Sequence, residues 1–146
     1  MRRRFIGGGR KLQFFTKRFY PAGNYTWIVP AGCTQVDVFL VGGGGGGSGD
    51  GGGSGYTKTF KSDNEGWKDG GAVAVTPGIG IKVIVGKGGK GVVSGSANNG
   101  GYSQFMDSNY RSNGGKGATQ SSGGNGGSGG GAGNGGSDGG DGDVGN

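Results

Sequence analysis

Six aromatic residues carry the chemistry most suited to gripping a surface. Tyr56, Phe60 and Trp67 are interleaved with Lys58, Lys61 and Lys68, while Tyr102, Phe105 and Tyr110 lie among serines and an asparagine. Such rings offer a large contact area at low conformational cost, and neighbouring Lys, Ser and Asn add hydrogen bonds; sugars and protein surfaces are bound this way. These six are the candidates for contact with a partner. The competing reading is that half or more of them cap a small β core, to which Trp27 and Phe39 are assigned outright.

A second group is electrostatic. Residues 1–18 hold Arg2, Arg3, Arg4, Arg10, Lys11, Lys17 and Arg18 with no acid, whereas the last thirty residues hold Asp138, Asp141 and Asp143 with no base. The basic set reads as an anchoring or assembly arm, able to bind an anionic partner or to align subunits head to tail. Nucleic acid is the weaker partner for it, because RGG repeats and an RNP-type strand are missing and the glycine tracts hold almost no Arg.

Catalytic chemistry is poorly supplied. The chain has no histidine, so the commonest general base and metal ligand is missing. Cys33 has no His partner for nucleophilic attack and no second cysteine for a disulfide. The acids form no pair suited to glycoside hydrolysis. The aspartates near the end fit neither an EF-hand loop nor a calcium-binding nonapeptide repeat. Matches to G-x-G-x-x-G carry no weight without a strand before and a helix after. The expectation is a protein that is not an enzyme and uses no cofactor or metal.

The elements that would position these residues are read from periodicity. Around Pro21, residues 19–29 form strand, turn, strand, with Tyr25, Trp27 and Val29 on one face. Pro30-Ala31-Gly32 is a turn, beside which Cys33 packs as a small apolar residue. Residues 34–41 are the clearest strand, Val36, Val38 and Leu40 facing one way and Asp37, Phe39 and Val41 the other. Residues 70–76 and 79–85 read as a hairpin joined at Thr76-Pro77-Gly78. Val92-Val93 and residues 101–106 read as short strands, and 56–69 as a hairpin excursion or an exposed loop. No stretch has helical periodicity. Apolar runs fall far short of a membrane span. The N-terminus is basic but lacks the apolar stretch of a signal peptide, so release by lysis or on a particle is expected.

Glycine dominates the remainder. It accounts for 45 of 146 residues, concentrated in 42–55 and 114–145, and hydrophobic residues reach only 29%. The six glycines 42–47 follow directly on a buried-looking strand, unlike a flexible linker. From Asn125 the chain repeats in threes, with Asn, Ser or Gly in the first slot. A polyproline-II type helix has three residues per turn, so its other two rows would be nearly bare glycine, open to close backbone approach. Disorder is the competing outcome for so biased a sequence. Collagen is excluded, since the chain has three prolines.

The segment Trp27-Ile28-Val29-Pro30-Ala31-Gly32, followed by Val36-Asp37-Val38-Phe39-Leu40-Val41-Gly42-Gly43-Gly44-Gly45, resembles the opening of the glycine-rich domain of phage tail and fibre proteins. Later pieces fit as well: Pro77-Gly78, Gly86-Lys87-Gly88-Gly89 and Gly100-Gly101-Tyr102-Ser103. A similar layout occurs in the extracellular glycine-rich domain of anaplastic lymphoma receptor kinases. The resemblance spans about residues 19–136. It implies an all-β fold, a small antiparallel core of sandwich or jelly-roll type, with packed polyglycine II helices and essentially no α-helix. The organisation expected is an arm (1–18), a β core with glycine-rich insertions (19–112) and a polyglycine II segment (113–146).

The function implied is that of a phage structural protein, a fibre or tip module on the virion surface that binds a host glycan or protein. In phage adhesins of this kind, loops joining the glycine helices form the receptor-binding tip. The alternative is a self-assembling filament or virion decoration protein, with itself and other virion proteins as partners. A chain ending within glycine and the opposite charges of its two ends favour that alternative.

Overall fold

The computed structural model describes residues 15–63, 68–133 and 138–143. Its regular elements are eight short strands: β1 (Gly23–Ile28), β2 (Gln35–Val36), β3 (Val38–Val41), β4 (Thr57–Phe60), β5 (Val73–Ala74), β6 (Gly80–Val85), β7 (Ser103–Phe105) and β8 (Arg111–Ser112). The fold is all-β, built from small antiparallel sheets. One sheet has the order β1-β6-β7-β8, and β2–β5 and β3–β4 form two-stranded ribbons. Among the described residues no helix is long and apolar enough to cross a membrane.

Alternation places the core. Val29, Ile81, Val83 and Phe105 from the four-stranded sheet meet Leu40 and Phe60 from the β3–β4 ribbon, with Val73 and Val75 completing the cluster. Tyr25, Trp27, Cys33, Val36 and Val38 pack against it, as their faces predict. Phe39 does not. It lies on the opposite face of β3 from Leu40 and is 66% exposed, because no layer covers that face of the ribbon.

Two strand expectations change. Thr76-Pro77-Gly78 does turn the chain, with Ile79 N–H donating to Thr76 O at 3.2 Å and Gly78 at φ +80°. The strands on either side do not pair with each other, however. β5 joins β2, and β6 lies between β1 and β7. Of the two readings of 56–69, residues 57–60 fit the hairpin excursion: β4 pairs with β3 in register from Val38↔Phe60 to Val41↔Thr57. Val92-Val93 forms no strand, and Val93 is fully exposed.

Beyond the sheets the ladders continue in a different conformation. Past Val41↔Thr57, the same antiparallel register runs on as Gly42 N–H to Tyr56 O, Gly45 to Gly53 and Ser48 to Asp50. β6–β7 continues as Gly101 to Lys87 and Asn98 to Lys90, and β7–β8 as Gly100 to Gly115 and Ala97 to Ala118. Each new bond comes three residues after the last. A β ladder repeats every two residues; a repeat of three identifies helices of the polyproline-II type, here nearly all glycine.

Candidate functional site

The glycine segments form a bundle of rods. The first rod (42–48) lies inside it, donating to the second (51–56) and the fourth (97–101) and accepting from the third (86–92) and the fifth (113–119). A sixth (122–128) and the end segments 129–133 and 138–143 extend the bundle on the side of the second rod. The glycine bundle is therefore not confined to residues 113–146. It also draws on the insertions between β3 and β4 and between β6 and β7.

Bonding at three residues per turn sends successive amides toward different neighbours. In the first rod Gly42, Gly45 and Ser48 donate to one rod and Gly43 and Gly46 to another, while the amides of Gly44 and Gly47 have no partner. The lattice requires glycine wherever a rod presses on another. A Cβ on Gly42, Gly45, Gly100 or Gly130 would lie closer than 3.0 Å to a backbone carbonyl of the adjoining rod. At Gly44 the nearest atom would be Gly53 O at 3.7 Å, which leaves room.

Two buried serines join sheet to bundle. Ser103 Oγ accepts from Gly86 N–H at 2.9 Å and donates to Val41 O at 2.6 Å. Ser112, fully buried, donates through Oγ to Tyr56 O at 2.7 Å. Both act where a strand becomes a rod, and a hydroxyl there supplies bonding that neither regular ladder provides.

At the far end of the bundle the turns between rods come together. Ser48 Oγ donates to Gly95 O at 2.5 Å, tying turn 48–50 to turn 92–97, and Gly133 N–H donates to Asp50 Oδ1. In the turn 119–122 Thr119 N–H donates to Ser122 O at 3.0 Å, beside a bridge between Ser122 and Asp138. Asp50 is buried and its Oδ2 has no hydrogen-bond partner. Val93, Ser94, Ser96, Gln120 and Ser121 project outward, Val93 at 100% exposure. Seven residues of rod at about 3.1 Å each set these turns roughly 20 Å beyond the sheets. This cluster of turns is the candidate site.

A family model for a glycine-rich domain matches residues 20–146. This chain belongs to that family. No curated protein and no solved structure matches it.

The glycine-rich domain disposes its aromatic candidates differently from a contact surface. Tyr56, Phe60 and Phe105 are buried, and Tyr110 packs edge-on against Phe60 with ring centroids 5.1 Å apart. Their burial removes them from reach of a partner. Tyr102 is 40% exposed, but the Arg111 guanidinium lies 4.1 Å from its ring centroid and covers one face. Trp67 lies outside the described residues, as do Arg2, Arg3, Arg4, Arg10 and Lys11. Lys17 and Arg18 are exposed. Among the described residues no group of His, Cys, Asp or Glu is placed to hold a metal ion. Ser, Gly and Gln carry no distinctive signal that marks out the distal turns; only the resemblance points to loops between glycine helices.

Proposed function

We propose that this domain is a non-enzymatic fibre or tip module of a phage particle, exposed on the virion surface, that presents its distal turns to a host glycan or protein. The observation that carries the reading is the set of turns 48–50, 92–97 and 119–122 at the end of a hydrogen-bonded bundle, the first two tied together by Ser48 Oγ donating to Gly95 O. The design separates two demands. Rod glycines are fixed by contact with one another, whereas Val93, Ser94, Ser96 and Gln120 in the turns are exposed. Loops held on a rigid scaffold suit recognition, since little ordering is left to do on binding.

The test is a glycan array and a bacterial-surface binding assay with the purified chain. Joint replacement Val93→Glu, Ser94→Lys and Gln120→Glu removes binding on this reading and leaves the melting temperature unchanged. Binding that survives those changes refutes it.

A second reading has its own observation. Phe39 and Val41 form an apolar strip on the uncovered face of the β3–β4 ribbon, 66% and 50% exposed. Such a strip suits packing against another copy or a neighbouring virion protein, the decoration or filament role. Sedimentation of the Phe39→Asp variant distinguishes the two: assembly lost with surface binding retained assigns the strip to packing alone.

A further inference from the structure

The four-stranded sheet ends in an open edge. β1 pairs with β6 on one side and, among the described residues, with no strand on the other. Val29 N–H donates to Ile79 O at 3.0 Å, and Met106 N–H donates to Lys82 O at 2.9 Å, so odd-numbered residues of β6 face β1 and even-numbered ones face β7. By the alternation of an antiparallel ladder, the N–H and C=O groups of Asn24, Thr26 and Ile28 therefore point away from β6. None of them has a hydrogen-bond partner. An edge of this length is a template for another strand unless it is blocked.

Nothing blocks it. β1 contains no proline, lysine or bulge. Residues 17–20 lie beside it without a backbone bond to it, leaving a groove of about 330 Å³ between residues 17–20 and 25–28. Its walls are aromatic and basic. Phe19 and Tyr25 stack with centroids 5.5 Å apart, and Trp27 lies deeper against Phe105. Lys17 and Arg18 line the groove, form no ion pair, and have no acid among the other lining residues.

We infer that the free edge of β1 is a docking site for an extended acidic segment of a partner protein, added as a further antiparallel or parallel strand. The backbone of Asn24, Thr26 and Ile28 supplies the ladder, and Lys17 and Arg18 supply the charge complement; main-chain bonds give affinity in this mode and side-chain pockets give selectivity. A second copy paired β1 to β1 fits less well. It would bring two sets of Lys17 and Arg18 to one interface, and like charges brought together oppose association. The inference goes beyond the binding of a host surface by the distal turns, because this edge lies at the other end of the molecule. It stands whether or not those turns bind anything.

The test is fluorescence anisotropy of a labelled peptide of alternating valine and threonine with glutamates at its ends, titrated with the full chain. A peptide with lysines in place of the glutamates serves as comparison. The glutamate peptide binds and the lysine peptide does not. Thr26→Pro removes an outward N–H without touching the ladder to β6, as proline is tolerated at such an edge, and abolishes binding. Should that variant fail to fold by circular dichroism, the exposed double reversal Lys17→Glu with Arg18→Glu decides, weakening binding about tenfold or more. Equal binding of the two peptides, no binding of either, or glutamate-peptide binding unchanged in Thr26→Pro overturns the inference. So does tight binding of oligogalacturonate that survives Thr26→Pro, which would make the groove a site for acidic sugar.

Discussion

At the scale of single residues, the account rests on what glycine lacks. Gly44 and Gly45 are neighbours in the first rod, yet a Cβ at Gly45 would meet the Lys116 carbonyl and one at Gly44 would not. Gly45→Ala should destabilise the domain by about 3 kcal/mol or abolish folding, since backbone on both sides cannot give way as a side chain could. Gly44→Ala should fall within about 1 kcal/mol of the parent and on the stabilising side, because alanine reduces the entropy of the unfolded chain. Thermal unfolding of the two variants checks this, and equal melting temperatures would contradict it. Composition alone cannot separate these positions. Nor does it place the aromatics: β4 is only four residues long, and alternation over so short a run does not decide whether Tyr56 and Phe60 face a partner or the core, where they lie.

At the scale of elements, the unit is a hairpin that begins as β ladder and ends as paired glycine rods. Its first halves were legible. Alternation in residues 34–41 and 79–85 gave the strands and their apolar faces, and the Pro-Gly turn was read correctly as a turn. The pairings were not legible, because β5 and β6 each find a partner distant in sequence although a tight turn joins them. The point of change between ladder and rod depends on Ser103 and Ser112, which nothing in the sequence marks out. Ser103→Ala should cost about 1–3 kcal/mol by leaving the Gly86 amide unpaired, and Ser112→Ala about 1 kcal/mol, since Tyr56 O keeps its bond from Gly42. Exposed Ser96→Ala should change stability by less than about 0.5 kcal/mol. Denaturant melts of the three variants measure the order; Ser103→Ala matching Ser96→Ala would remove the serine junction from the account.

At the scale of the whole molecule, the domain is a small sheet core with a glycine bundle set on one end and its turns gathered at the other. The repeat of three read from Asn125 onward anticipated the conformation of the bundle but not its extent. The inner rods come from the first two hairpins, and the late segment is added at the side. Order in so glycine-rich a chain is explained by the bonding: the first, second and fourth rods satisfy about two of every three amides through their neighbours and the third about one of every three, which offsets the entropy that glycine loses on folding. Disorder would leave all amides open, and a β ribbon would protect alternate ones.

Amide hydrogen exchange across residues 42–48, followed residue by residue by NMR, tests this most directly. The account predicts protection at Gly42 and Gly43, fast exchange at Gly44, protection at Gly45 and Gly46, fast exchange at Gly47 and protection at Ser48, following the hydrogen bonds of the first rod. Uniformly fast exchange through the run, or protection at every second amide, would contradict it.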